Sequence, residues 1–168
     1  IGTYARDKDA ISATAALCEA AAYYKEKGMT LWDAMVAMYE KYGYYKDTVK
    51  SIGLKGIEGL AKIQEIMTTL RDNTPAQIGE YKVLKARDYK KDTVTDLATG
   101  AVTPTGLPNS NVLYYELPDA AWVCFRPSGT EPKLKFYYGV KADTMEAADA
   151  KAAELGAAVM AIVEPMLG

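Results

Sequence analysis

The residues best suited to chemistry lie in one short segment, Arg126-Pro127-Ser128-Gly129-Thr130-Glu131-Pro132. Arg126 offers a planar fork of donors that fits two oxygens of a phosphate at once, and Ser128 and Thr130 add hydroxyl donors. Gly129 lets the surrounding backbone N–H groups come close to an anion. Pro127 and Pro132 lack N–H donors and restrict φ, so the segment is held partly in shape before a ligand arrives, which lowers the ordering cost of binding. Lys133, Lys135 and Lys141 follow. From Arg126 to Lys141 four positive charges face the single Glu131, a local +3 in a chain of net charge −2. Such a field favours anions.

The spacing is that of neither a Walker-type loop nor a dinucleotide fingerprint, because the glycine pattern is absent and the segment joins two predicted strands instead of opening a helix. From composition alone, a solvated hairpin loop accounts for these residues as well as an anion cradle does.

Composition narrows the remaining chemistry. The 168 residues contain no His, which excludes Ser-His-Asp and Cys-His catalysis and the usual catalytic zinc sites. Twenty Lys+Arg against 22 Asp+Glu argues against a nucleic-acid-binding protein, since such binding draws on a basic excess. No apolar run approaches the roughly 20 residues of a membrane helix. Cys18 and Cys124 lie far apart without metal-type spacing and read as two reduced, buried thiols of a cytoplasmic protein. Apolar residues at 49% and charged residues at 25% suffice for a core in one or two small domains. The chain opens Ile-Gly-Thr-Tyr, with neither an initiator Met nor a leader, and reads as a piece or a processed product.

The elements that must position the segment follow from periodicity. Asp7 and Asp9 precede a helical stripe of Ile11, Ala15, Cys18 and Ala22 that runs to about Lys27, with Gly28 as its terminator. Thr30 and Asp33 form a capping box for a second helix bearing Leu31, Met35, Met38 and Tyr42. Tyr44 to Leu54 reads as a strand, and Ile57, Leu60, Ile63, Met67 and Leu70 as a third helix. A domain boundary is expected near Asn73 to Gly79. Beyond it lie predicted strands at Tyr81 to Tyr89, Val112 to Leu117, Ala121 to Arg126 and Lys133 to Val140, with a surface loop over Thr99 to Asn111 and a tight turn at Asp119-Ala120. Thr144 caps a last helix whose apolar face is Ala148, Ala152, Leu155, Val159 and Ile162. Trp32 and Trp122 are expected on core faces, and the 13 Tyr are read as packing residues. The fold class is α+β: a partial α/β domain, then a mainly antiparallel sheet with a C-terminal covering helix.

Phe125 to Val140, FRPSGTEPKLKFYYGV, resembles the C-terminal phosphate-binding loop of the α-D-phosphohexomutases, most closely the phosphoglucomutase/phosphomannomutase branch. Ala5-Arg6-Asp7-Lys8-Asp9-Ala10 looks like the segment after the sugar-recognition loop in the third domain of those enzymes. Tyr44-Tyr45-Lys46 and Leu107 to Leu117, LPNSNVLYYEL, are similar to the same branch. The resemblance implies that residues 1–75 are the C-terminal part of domain 3 and residues 79–168 the TATA-binding-protein-like domain 4. It implies a C-terminal portion of an intramolecular phosphotransferase of the isomerase class, which interconverts hexose 1- and 6-phosphates through a phosphoserine and Mg²⁺.

The sequence has no Thr-Ala-Ser-His-Asn-Pro-like serine segment and no Asp-x-Asp-x-Asp metal loop. This portion is therefore expected to be inactive alone, with Mg²⁺ bound outside it and no cofactor of its own. What the resemblance implies for Arg126, Ser128, Gly129 and Thr130 is a grip on the phosphate that is not being transferred. Lys135 falls where the family tends to carry a basic residue near that phosphate. Lys8 falls where an active-site lysine occurs, although an ion pair with Asp7 or Asp9 at a helix start fits it equally. Glu131 is expected to brace the loop. The implied partners are hexose phosphate, inorganic phosphate or sulfate, the missing N-terminal domains, and a second copy through an exposed domain 3 surface. Nucleic acid and membrane are not among them. The alternative is an autonomous sugar-phosphate-binding or regulatory module without catalysis.

Overall fold

The computed structural model describes residues 2–3 and 5–167, so that Ile1 and Tyr4 of the opening read above lie outside the described residues, as does Gly168. Contacts divide the chain into two compact units, Ile1–Gly43 and Tyr44–Gly168. The stretch from Tyr44 to Asp72, grouped by sequence with the first part, packs in the second unit because its strand pairs over ten residues with a strand near the C-terminus.

The first unit holds α1 (Ala10–Glu26) and α2 (Leu31–Tyr42). Local chemistry sets their limits. The Asp9 carboxylate accepts from the Ser12 N–H at 2.9 Å at the start of α1, and Gly28, at φ 71°, adopts a conformation that a Cβ would penalise. Thr30 and Asp33 form the expected reciprocal box, with Asp33 N–H donating to Thr30 Oγ1 at 3.1 Å and Thr30 N–H to Asp33 Oδ2 at 2.8 Å. The apolar stripes are not covered, however. No described residue of this unit is buried: Ile11 is 85% exposed and Trp32 57%. Cys18 is exposed too, against its expected burial. Within the unit, two helices offer each stripe at most one neighbour, too little to close a core.

The second unit is built on a seven-stranded sheet in the order β1-β9-β8-β7-β4-β5-β6, every neighbouring pair antiparallel. Its strands are β1 (Tyr44–Gly53), β4 (Lys85–Asp88), β5 (Thr93–Asp96), β6 (Val102–Thr103), β7 (Leu113–Glu116), β8 (Trp122–Pro127) and β9 (Lys133–Ala142). A separate ribbon pairs β2 (Gln77–Ile78) with β3 (Tyr81–Lys82). The single strand expected over Tyr81 to Tyr89 is thus broken in two. Val83 N–H bonds to Ala76 O at 2.9 Å while Leu84 N–H bonds to Glu116 O at 2.8 Å, so the chain changes partner between these residues. The expected loop over Thr99 to Asn111 contains β6, and β5 was not anticipated.

Helices α3 (Gly56–Asp72) and α4 (Met145–Leu167) contribute to one core with the sheet. From α3 come Ile63, Ile66, Met67 and Leu70; Ile57 and Leu60, assigned by periodicity to the same stripe, are exposed. From α4 come Ala148, Ala152, Leu155 and Val159, with Val163 taking the fully buried place expected of Ile162. The sheet supplies Tyr115, Val123, Phe125, Leu134, Phe136 and Tyr138. Rings of Tyr115, Phe125 and Phe136 meet edge to face at 5.7 and 5.4 Å. Each such side chain contributes about 1.5–3 kcal/mol by leaving water. A Cβ at Gly156 would collide with Tyr138, so glycine is what lets α4 lie this close to the sheet. Trp122, expected on the core face, lies half-buried on the other side, stacked on Tyr114 at 5.5 Å and over the backbone of Gly139.

Candidate functional site

Strand alternation places the candidate residues. Phe125 and Phe136 are cross-strand partners and fully buried, so the next pair, Arg126 and Lys135, projects to the opposite, open face of the sheet. Two cations directly opposite each other in a ladder repel. Among the described residues, neither side chain makes a hydrogen bond or an ion pair with a protein group. The structure therefore holds two uncompensated positive charges side by side at the mouth of the loop.

The loop between β8 and β9 is tied at both ends. Ser128 N–H donates to Lys133 O at 2.8 Å, Lys133 N–H to Glu131 O at 2.7 Å, and Pro132 O accepts from Leu54 N–H at 2.9 Å. Ser128 Oγ accepts from Thr130 N–H at 3.5 Å, at the limit of a hydrogen bond. Gly129 and Thr130 stand exposed at the tip. A Cβ on Gly129 would meet nothing within 4 Å, and its φ is not left-handed. Neither crowding within the chain nor backbone conformation requires glycine there; what its absent side chain leaves is an open approach to the tip.

Glu131 turns to Lys133 at 3.0 Å, so Lys133 drops out of the free charge counted from sequence. Lys141 lies over the Tyr45 ring at 5.2 Å, six residues or roughly 20 Å along β9 from Lys135. Arg126 and Lys135 remain as the effective pair. Lys8 belongs to the first unit, where it pairs with Asp7 at 3.0 Å, both side chains almost fully in solvent. The structure thus brings together Arg126, Ser128, Gly129, Thr130 and Lys135 in one hairpin of the second unit.

Two neighbouring features were not found from sequence. Arg71 of α3 is almost wholly buried and donates to Asp88 at 2.9 Å, to Asn111 Oδ1 at 2.7 Å and to Met67 O at 3.3 Å. This network holds the 109–112 segment, which runs past Arg126 on the open face. Sequence offered no signal for it, since the three residues are 17 and 40 positions apart. On the same face Arg87 binds Glu116 at 2.7 Å and lies 5.9 Å from the Tyr114 ring. Burial pushes the Cys124 thiol up to about 11, with Arg126 pulling weakly the other way, so the group beside the clamp is neutral at physiological pH.

Among the described residues no cluster of three or more His, Cys, Asp or Glu groups could hold a metal ion, and no helix is long and apolar enough to cross a membrane.

No family model matches the chain. It is 38% identical over 138 residues to phosphoglucomutases of Staphylococcus aureus, among them those of strains bovine RF122 / ET3-1 and MRSA252. The match covers 82% of this chain and 25% of each relative, so the chain spans about a quarter of the length of the curated relatives it matches. In fold it is similar to a crystal structure, in an open form, of the exocytosis-sensitive phosphoprotein pp63/parafusin, a phosphoglucomutase from Paramecium. The TM-score is 0.58 at 20% identity, over 96% of this chain and 28% of that one.

Proposed function

As phosphoglucomutase-family sequence spanning a quarter of its relatives' length, this chain, we propose, is a C-terminal portion that grips the non-transferring phosphate of a hexose phosphate while other domains carry the chemistry. The observation that supports this most is the Arg126–Lys135 pair: two unpartnered cations facing each other across a ladder beside a tethered loop whose tip is open. A dianionic phosphate relieves that repulsion and takes hydrogen bonds from the guanidinium, the ammonium, the Ser128 and Thr130 hydroxyls and the Gly129 N–H.

Phosphoryl transfer depends on placement and charge stabilisation, so a clamp remote from the reacting phosphorus lowers the barrier by orienting the sugar. It also lets a bisphosphate intermediate rebind in the reversed direction. In this reading the catalytic serine and Mg²⁺ belong to the remaining domains, the whole protein works in the cytoplasm, and Lys8 approaches the substrate from the domain 3 portion.

Supplying the remaining N-terminal portion of a relative to this chain tests the reading. Phosphoglucomutase activity should appear on mixing and fall at least about a hundredfold with Arg126→Ala, the loss expected from removing about 3 kcal/mol of oriented charge-assisted bonding. The alternative, a sugar-phosphate-binding module without catalysis, draws on the self-contained core of Tyr44–Gly168. It is favoured if the mixture stays inactive while the chain alone binds hexose phosphate.

A further inference from the structure

The two edges of the sheet are finished differently. At one, β6 is two residues long and runs into Pro104, which has no N–H to offer another strand. At the other, β1 pairs one to one with β9 over ten residues, without a bulge or a proline. Among the described residues, the outer backbone groups of residues 47–53 bond to no other segment. The helix layer leaves this edge open: Lys50 is exposed on that side, and on the open face Tyr45 is 48% and Val49 55% exposed. A long, regular edge with β-branched and aromatic residues is a template for a further strand.

The charges of β1 select both partner and register. Cross-strand partners share a face of the sheet, so when a strand meets a copy of itself antiparallel, the residue on the two-fold axis faces its own counterpart. An axis at Lys46, Asp47 or Lys50 opposes like charges directly, and one at Thr48 sets Lys46 against Lys50 twice. Axes nearer the ends of the strand pair five residues or fewer. An axis at Val49 opposes no like charges and pairs nine residues, 45–53. It sets valine on valine, Asp47 against the Ser51 hydroxyl, Lys50 against Thr48, and the Tyr45 ring over Gly53, where a Cβ would meet nothing closer than Lys133 at 3.9 Å. An aromatic ring over a cross-strand glycine covers the backbone that glycine leaves bare.

We propose that β1 is a docking edge for a second copy of this chain, joined antiparallel about a two-fold axis at Val49 so that two sheets become one. The axis runs normal to the sheet, which leaves the open faces of both copies, with their Arg126 and Lys135, on the same side. Contact along one edge is small, so the dimer is a reversible one.

Light scattering of the 168-residue chain across a concentration series tests the proposal. The mass should rise from the 18.3 kDa of one chain toward twice that value at concentrations on the order of tens of micromolar, as a small interface implies. Val49→Lys, at an exposed position, should weaken association about fivefold by opposing two ammonium groups. Thr48→Glu, which faces Lys50 of the second copy at two places, should strengthen it about threefold. In a Cys18→Ser background, Val49→Cys should give an inter-chain disulfide on mild oxidation, because facing Cα atoms lie about 4.5–5.5 Å apart. Asp47→Cys, roughly 13 Å along the strand from its counterpart, should not. A monomer up to about 1 mM would overturn the proposal. So would a dimer indifferent to both Val49→Lys and Thr48→Glu, or one that cross-links equally through the two cysteine positions; either places the contact elsewhere, as on the uncovered stripes of the first unit.

Discussion

The helical unit Ile1–Gly43 and the sheet unit Tyr44–Gly168 obey the same local rules and differ in what those rules achieve. In the first, both helices begin at well-formed caps, yet no described side chain is buried. In the second, α3 begins without any side-chain cap, and its buried stripe joins a core shared by two helices and the sheet. Capping decides where a helix starts; burial decides what it contributes to stability. The stability of the chain should therefore reside in the second unit, and the anion clamp stands on that rigid part.

The largest expected effect separates the units directly. Phe136→Ala, at a fully buried site, should destabilise the chain by about 3–5 kcal/mol, while Trp32→Ala in the first unit should stay within about 0.5 kcal/mol. Urea unfolding of both variants reads the difference, and comparable losses would end the contrast.

Next in size is the buried ion pair. Arg71→Met strands Asp88 and releases Asn111, at a cost of about 3–5 kcal/mol. Lys8→Met removes an ion pair that lies in solvent and should be nearly neutral. Thermal unfolding distinguishes the two, and an equally neutral Arg71→Met would show that the network is dispensable.

A smaller effect belongs to the first unit. Thr30→Ala removes the capping box and should weaken α2 by about 1 kcal/mol. Faster amide exchange confined to α2 is the expected record; a loss spread over the sheet would mean that the units are coupled more strongly than their cores suggest.

The smallest effect concerns pH. The Thr30 hydroxyl and N–H hold the Asp33 carboxyl below its ordinary value of 3.8. A depressed carboxyl stabilises at pH above its unfolded value and loses that contribution as pH falls through the folded value. Protection of α2 amides should accordingly be constant near neutrality and decline only in acid below about pH 4. A decline centred between pH 5 and 7 would contradict the assignment.

The same contrast explains how far the sequence could be read. Helix limits in the first unit and the β8–β9 hairpin were legible because Thr30, Asp33, Gly28, Pro127 and Pro132 act on their immediate neighbours. Alternation then gave the outward direction of Arg126 and Lys135. Exposure of Ile11, Trp32 and Cys18 was not legible, since periodicity reports a stripe and not the presence of something to cover it. The break between Lys82 and Lys85 depends on two separate partners, Ala76 and Glu116. The Arg71–Asp88–Asn111 network needs three distant segments in register.

Amide NMR during titration with inorganic phosphate tests the clamp most directly. Shifts should concentrate on residues 126–135, saturate, and vanish in Arg126→Ala while the rest of the spectrum is preserved. Shifts centred on another part of the chain, or persisting unchanged in that variant, would contradict it.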